Sequence, residues 1–103
     1  MNRIEILREF LEATPGDNFL QHALALEYIK AGRDDEARSL FEAVLERDPG
    51  YVGTYYHLAL LHVRNNRIPE ANLIYEKGME EAKKAGDDHA YAELRSAYED
   101  LNF

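Results

Sequence analysis

The sequence predicts an all-α fold built from antiparallel helical hairpins stacked side by side, with about six helices. Three observations carry that expectation. The chain repeats itself at an interval of about 34 residues. Apolar residues recur at three- and four-residue spacing. Glycine, asparagine and proline punctuate the chain between those stretches.

One shift without gaps relates the two copies. Leu11, Glu12, Pro15 and Gly16 fall on Leu45, Glu46, Pro49 and Gly50. Leu24, Ala25 and Leu26 fall on Leu58, Ala59 and Leu60, and Arg33, Glu36, Ala37 and Glu42 on Arg67, Glu70, Ala71 and Glu76. Other pairs keep their chemistry, such as Ile29 with Val63 and Phe41 with Tyr75.

Taken in order, residues 2–13 form a first helix through Leu7 and Phe10. Residues 17–31 form the second, because Leu20, Ala23, Leu24 and Tyr28 share one helical face. Gly32 stops it, since glycine takes the left-handed conformation at a helix end without penalty. Asp34 is expected to cap the third helix, 34–47. Pro49 and Gly50 break the chain before the fourth, 52–65, and Asn66 does for that helix what Gly32 does for the second. Pro69 suits the first turn of the fifth, 69–85. Gly78 sits inside that helix at a cost of about 1 kcal/mol relative to alanine, which points to a close helix crossing. Gly86 ends it, and Asp87 and Asp88 open the last helix, 88–101, with Tyr91, Leu94, Tyr98 and Leu101.

Composition bounds the function. The formal net charge is −8, from 20 acidic and 12 basic residues. Nucleic-acid binding needs a basic surface to displace counterions, and an anionic membrane repels this chain for the same reason. No nucleic-acid or membrane partner is therefore expected. There is no cysteine, which excludes disulfides, thiolate metal sites and a cysteine nucleophile. Glu5, Glu9 and Glu12 interrupt the first helix, so it reads as neither a signal peptide nor a membrane span, and a cytoplasmic location is the default expectation.

The repeated residues resemble the tetratricopeptide repeat family, and in particular its short, free-standing bacterial members. Leu24, Ala25, Tyr28, Ala37, Phe41 and Pro49 match the family pattern in one repeat; Tyr55, Leu58, Ala59, Ala71 and Tyr75 match it in the next. Gln21 departs from it at the place of a large aromatic, Val44 at a small residue, His62 at a tyrosine and Lys83 at the second closing proline. The resemblance implies a right-handed superhelix in a single domain. It would comprise a half repeat at 2–14, full repeats at 18–51 and 52–85, and a capping helix at 87–101 that covers the last apolar face. It also implies a non-catalytic module that binds a protein or peptide partner.

In such a superhelix the first helices of successive hairpins line a concave face. The residues expected there are Phe19, His22, Leu26 and Ile29 on one helix and Tyr56, Leu60, Val63 and Arg64 on the other, with Gly53 leaving room for an incoming backbone. So apolar a surface generally marks an interaction site. Three occupants fit it: a partner peptide or helix, the chain's own last helix folded across it, or a second copy in a homodimer. Lys30, Arg33, Arg64 and Arg67 could add a cationic edge, although cations are favoured at helix C-termini for local reasons alone. Some family members clamp the carboxylate tail of chaperones with lysine and asparagine. His22, Leu26 and His57 hold the corresponding places here and do not reproduce that clamp.

No catalytic or metal chemistry is legible. His57 and His62 lie about 140° apart around one helix axis, so they do not converge as a metal-binding pair would. Ser39, Ser96, Thr14 and Thr54 are scattered among helix and turn positions with no nucleophile elbow, and no glycine-rich loop carries a phosphate-binding lysine. The acidic runs Asp34-Asp35-Glu36 and Asp87-Asp88 begin helices, where negative charge is favoured. No cofactor is expected.

Overall fold

A computed structural model describes all of residues 1–103. Six helices account for the architecture: α1 (Arg3–Ala13), α2 (Asn18–Lys30), α3 (Asp34–Arg47), α4 (Gly53–Arg64), α5 (Ile68–Ala85) and α6 (Asp88–Asn102). Each lies within a residue or so of the span read from sequence, and there are no strands. The chain forms two compact units, Met1–Arg47 and Asp48–Phe103.

In the first unit, α1 packs on α2 and α2 on α3. The Asn2 side chain accepts from the Glu5 N–H at 2.9 Å and Asp17 from the Leu20 N–H at 2.9 Å, so two helix starts satisfy an otherwise unpaired amide. The inward faces are Leu7 on α1, Leu24, Ala25 and Tyr28 on α2, and Ala37, Phe41 and Val44 on α3. Ala25 and Ala37 are fully buried, and side chains this small let α2 and α3 approach closely around Phe41. The start of α3 differs from expectation. Asp34 is the first helical residue rather than its cap, and joins Asp35 and Glu36 in a first turn whose carboxylates meet the positive end of the helix. Arg33 grips Glu36 through two hydrogen bonds of 2.7 Å, which hold that carboxylate below its ordinary range.

In the second unit α4, α5 and α6 pack in turn, and α6 also touches α4. Gly78 explains how. A Cβ built there would lie 2.6 Å from the Cβ and 2.9 Å from the Cγ of Tyr55, and 3.1 Å from the Leu94 Cδ1. Only a bare Cα fits where α5 is crossed by α4 on one side and α6 on the other. Pro69 lies in the first turn of α5, and Gly86 ends that helix at φ 68°. The Asp87 carboxylate then accepts from the Ala90 N–H at 3.0 Å to start α6.

The two hairpins solve the same local problems with different chemistry. After α2, Gly32 takes φ 75°; its N–H donates to Ile29 and that of Arg33 to the Tyr28 carbonyl. After α4, Asn66 takes φ 61° and makes the equivalent bond to Val63, while the Arg67 N–H donates to His62. Both are the same helix-ending turn. Gln21, the departure from an aromatic, donates through Nε2 to the Pro15 carbonyl at 2.7 Å and accepts from Arg47 Nη2 at 2.8 Å. The Tyr55 hydroxyl makes the matching bond to the Pro49 carbonyl in the second unit. A carbonyl left open by proline's turn is thus satisfied in each repeat, once by an amide and once by a phenol.

Candidate functional site

The expected partner-binding residues lie where the repeat places them along α2 and α4. On α2, Phe19 is 70% exposed, and His22, Leu26 and Ile29 are half-buried. The His22 ring stands 5.4 Å from that of Phe41, so its inner edge is held by the core of the first unit. On α4, Leu60 is 46% exposed, Tyr56 and Val63 are half-buried, and Arg64 is exposed. The Tyr56 and His57 rings meet edge to face at 5.5 Å.

Three of the four α4 residues come together. Tyr56, Leu60 and Val63 line a groove of about 290 Å³ whose other walls are Tyr75 of α5 and Ala97, Asp100 and Leu101 of α6. The last helix therefore does not seal this stretch of α4. It stands beside it as a second wall, and Leu60 remains open. Ala97, Asp100, Leu101 and Tyr75 were not among the residues expected from sequence. The signal was present: Tyr91, Leu94 and Tyr98 repeat the spacing of Tyr55, Leu58 and His62, which gives α6 the pattern of the first helix of a hairpin. Arg95 stands where that spacing puts Ala59, and its Nε donates to Glu99 at 2.7 Å, so the outer face of α6 is solvated rather than packed.

The cationic edge is largely spent inside the chain. Lys30 pairs with Glu27 at 3.1 Å. Arg33 pairs with Glu36 while its guanidinium lies 4.4 Å from the centre of the Tyr28 ring. Arg67 donates from Nε to His62 Nδ1 at 3.0 Å, so the tyrosine-to-histidine change at that position exchanges a cation–ring contact for a hydrogen bond. No group of three or more histidine, aspartate or glutamate side chains is placed to hold a metal ion. No helix is long and apolar enough to cross a membrane.

His57 gives the unit a measurable acid response. Burial pushes its imidazole below the ordinary value of 6.5, against a smaller opposite pull from Glu93. Folding thus favours the neutral ring. Its contribution is complete above about pH 6.5 and is lost as pH falls through the lower folded-state value. Glu36, held down by Arg33, and Glu81, held down by Lys77 and Lys84, lie below 4.5 and add a second loss at more acid pH. Urea midpoints measured from pH 8 to pH 3 should fall in two stages, and His57→Gln should shrink the upper stage while leaving the lower one in place.

These parts define a class: antiparallel helix pairs of constant repeat, turned by left-handed residues and ended by a solvated first helix. The chain belongs to the tetratricopeptide repeat family, whose model matches residues 28–98. A tetratricopeptide repeat domain protein of Salinibacter ruber is 40% identical to it. The crystal structure of that protein has a TM-score of 0.78 over 82% of this chain and 94% of the other. Its solution structure has a TM-score of 0.82 over 85% and 89%. A protein of Bordetella parapertussis, 23% identical, reaches 0.84 over 98% of this chain and 88% of that one, a likeness of fold alone. A search of curated proteins gives no match. The family's fold is generally a protein-interaction module and generally non-catalytic.

Proposed function

We propose that this chain is a non-catalytic binding module that receives a partner peptide or helix on its concave face. That face comprises Phe19, His22, Leu26 and Ile29 of α2 and Tyr56, Leu60, Val63 and Arg64 of α4. The half repeat at 2–14, the repeats at 18–51 and 52–85 and the capping helix at 87–101 act as one domain in this reading. The observation that carries it is the open apolar groove beside Leu60, 46% exposed on a helix whose other side is core. Large apolar side chains left in water, here Phe19 and Leu60, favour association over solvation. Two repeats give a short surface, so affinity for a single peptide is modest unless a second contact adds avidity.

The competing occupant is a second copy of the chain. Light scattering over a wide concentration range separates the two, with Leu60→Asp as the probe. A monomer in both proteins is the expected result. A tight wild-type dimer that Leu60→Asp dissolves would mean the face is its own interface.

A further inference from the structure

The groove between α4 and α6 holds more polar chemistry than a greasy slot requires. Tyr75 forms part of its lining with only 2% of its surface exposed, and no protein group hydrogen-bonds its hydroxyl. Phe41 occupies the equivalent place one repeat earlier and is also fully buried, so packing at this position does not demand an oxygen. Burial pushes the Tyr75 phenol above its ordinary value, which keeps it a neutral hydroxyl near neutral pH. The hydroxyl oxygen is not sealed in the core, so in the free protein water satisfies it from the groove, and a ligand that enters must replace that bond.

Asp100 is the second polar element. It is the one charged residue lining the groove, it is exposed, and no cation of the protein pairs with it. The rest of the lining is apolar or aromatic: Tyr56, Leu60, Val63, Ala97 and Leu101. The volume of about 290 Å³ lies at the lower end of ligand pockets, which span about 300–1,000 Å³. That space takes one long side chain and not a helix.

We propose that this groove is a subsite for an arginine side chain of the partner polypeptide. The inference rests on the reading of this face as the partner site and adds the chemistry of what enters it. The aliphatic stem of the arginine lies along Leu60, Val63 and Leu101. Its guanidinium pairs with the Asp100 carboxylate, donates to the Tyr75 hydroxyl oxygen and meets the Tyr56 ring. Arginine suits the site better than lysine because a planar, weakly hydrated cation can stack on a ring and pair with a carboxylate together. An acidic side chain finds only repulsion there. The net charge of −8 draws a basic partner over longer range and makes its arrival salt-dependent.

The test uses the full chain, labelled with ¹⁵N, and four blocked pentapeptides that differ only at the central residue: arginine, citrulline, norleucine or glutamate. Arginine should give saturable shifts at the amides of Leu60, Ala97, Asp100 and Leu101. Citrulline, which keeps the shape and loses the charge, should bind at least about five-fold more weakly, and glutamate more weakly still. Asp100→Asn should erase the preference for arginine over citrulline. Tyr75→Phe, which retains the packing volume, should weaken arginine about two- to three-fold. Equal binding of arginine and citrulline, a preference that survives Asp100→Asn, or no saturable shift at these amides would overturn the proposal. Norleucine binding as well as arginine, with both lost in Leu60→Asp, would also overturn it while leaving the face a partner site. Arginine binding here, with the natural partner retained by a Tyr56→Ala/Leu60→Asp protein, would instead remove the wider function and leave the subsite.

Discussion

Gly78→Ala destabilises the protein by about 1–2 kcal/mol, although alanine is the better helix former. In a solvent-exposed helix the exchange would gain about 1 kcal/mol. Here the new methyl meets the Tyr55 Cβ at 2.6 Å, and that atom is fixed to the α4 backbone and cannot rotate aside. Leu94 closes the other side at 3.1 Å. The helices must separate, and overpacking of this kind costs about 1–3 kcal/mol, more than the propensity gain returns. In a domain of this size the midpoint of thermal unfolding should drop by about 4–8 °C per kcal/mol, and by more for Gly78→Val. Gly53 is the internal control. A Cβ there meets nothing within 4 Å, so Gly53→Ala should be neutral or slightly stabilising.

Leu94→Ala should cost about 2–4 kcal/mol, the range for deleting a core leucine whose site cannot collapse. Leu94 is 1% exposed and is the only fully buried side chain of α6, and the crossing it fills at Gly78 is held open by Tyr55. What remains to hold α6 is weaker. Asn102 reaches Asn72 at 2.8 Å and Lys83 lies 5.1 Å from the Tyr91 ring centre, both at the surface. Hydrogen exchange should therefore show the amides of α6 opening before those of α4 and α5, as a local event rather than a global one. Because α6 supplies a wall of the groove, the same substitution should also weaken any ligand bound beside Leu60.

Much of this fold was legible because its signals are local and repeated. Helix limits follow from apolar spacing and from Gly32, Asn66 and Gly86, whose left-handed backbone any helix end of this type needs. Gly78 was readable as a close crossing because nothing else excuses glycine in the middle of a helix. The span of α3 was read correctly, but Asp34 was taken as its cap and is instead the first helical residue, since Arg33 and Asp34 both border the first turn and only geometry separates their roles. The candidate face was legible on α2 and α4 for the same reason as the helices, through repeat equivalence. Its second wall was not. Ala97 and Leu101 belong to a helix whose match to α4 runs through only three core residues, and Asp100 stands where α4 carries Arg64. Tyr75 read as core by its place in the repeat, and its hydroxyl acquires meaning only when the groove above it is seen.

Affinity capture from native cell extract, with the wild-type chain and a folded Tyr56→Ala/Leu60→Asp variant as parallel baits, bears most directly on the function. A discrete set of proteins held by the first and absent from the second is the predicted result. Identical proteins recovered on both baits would contradict it.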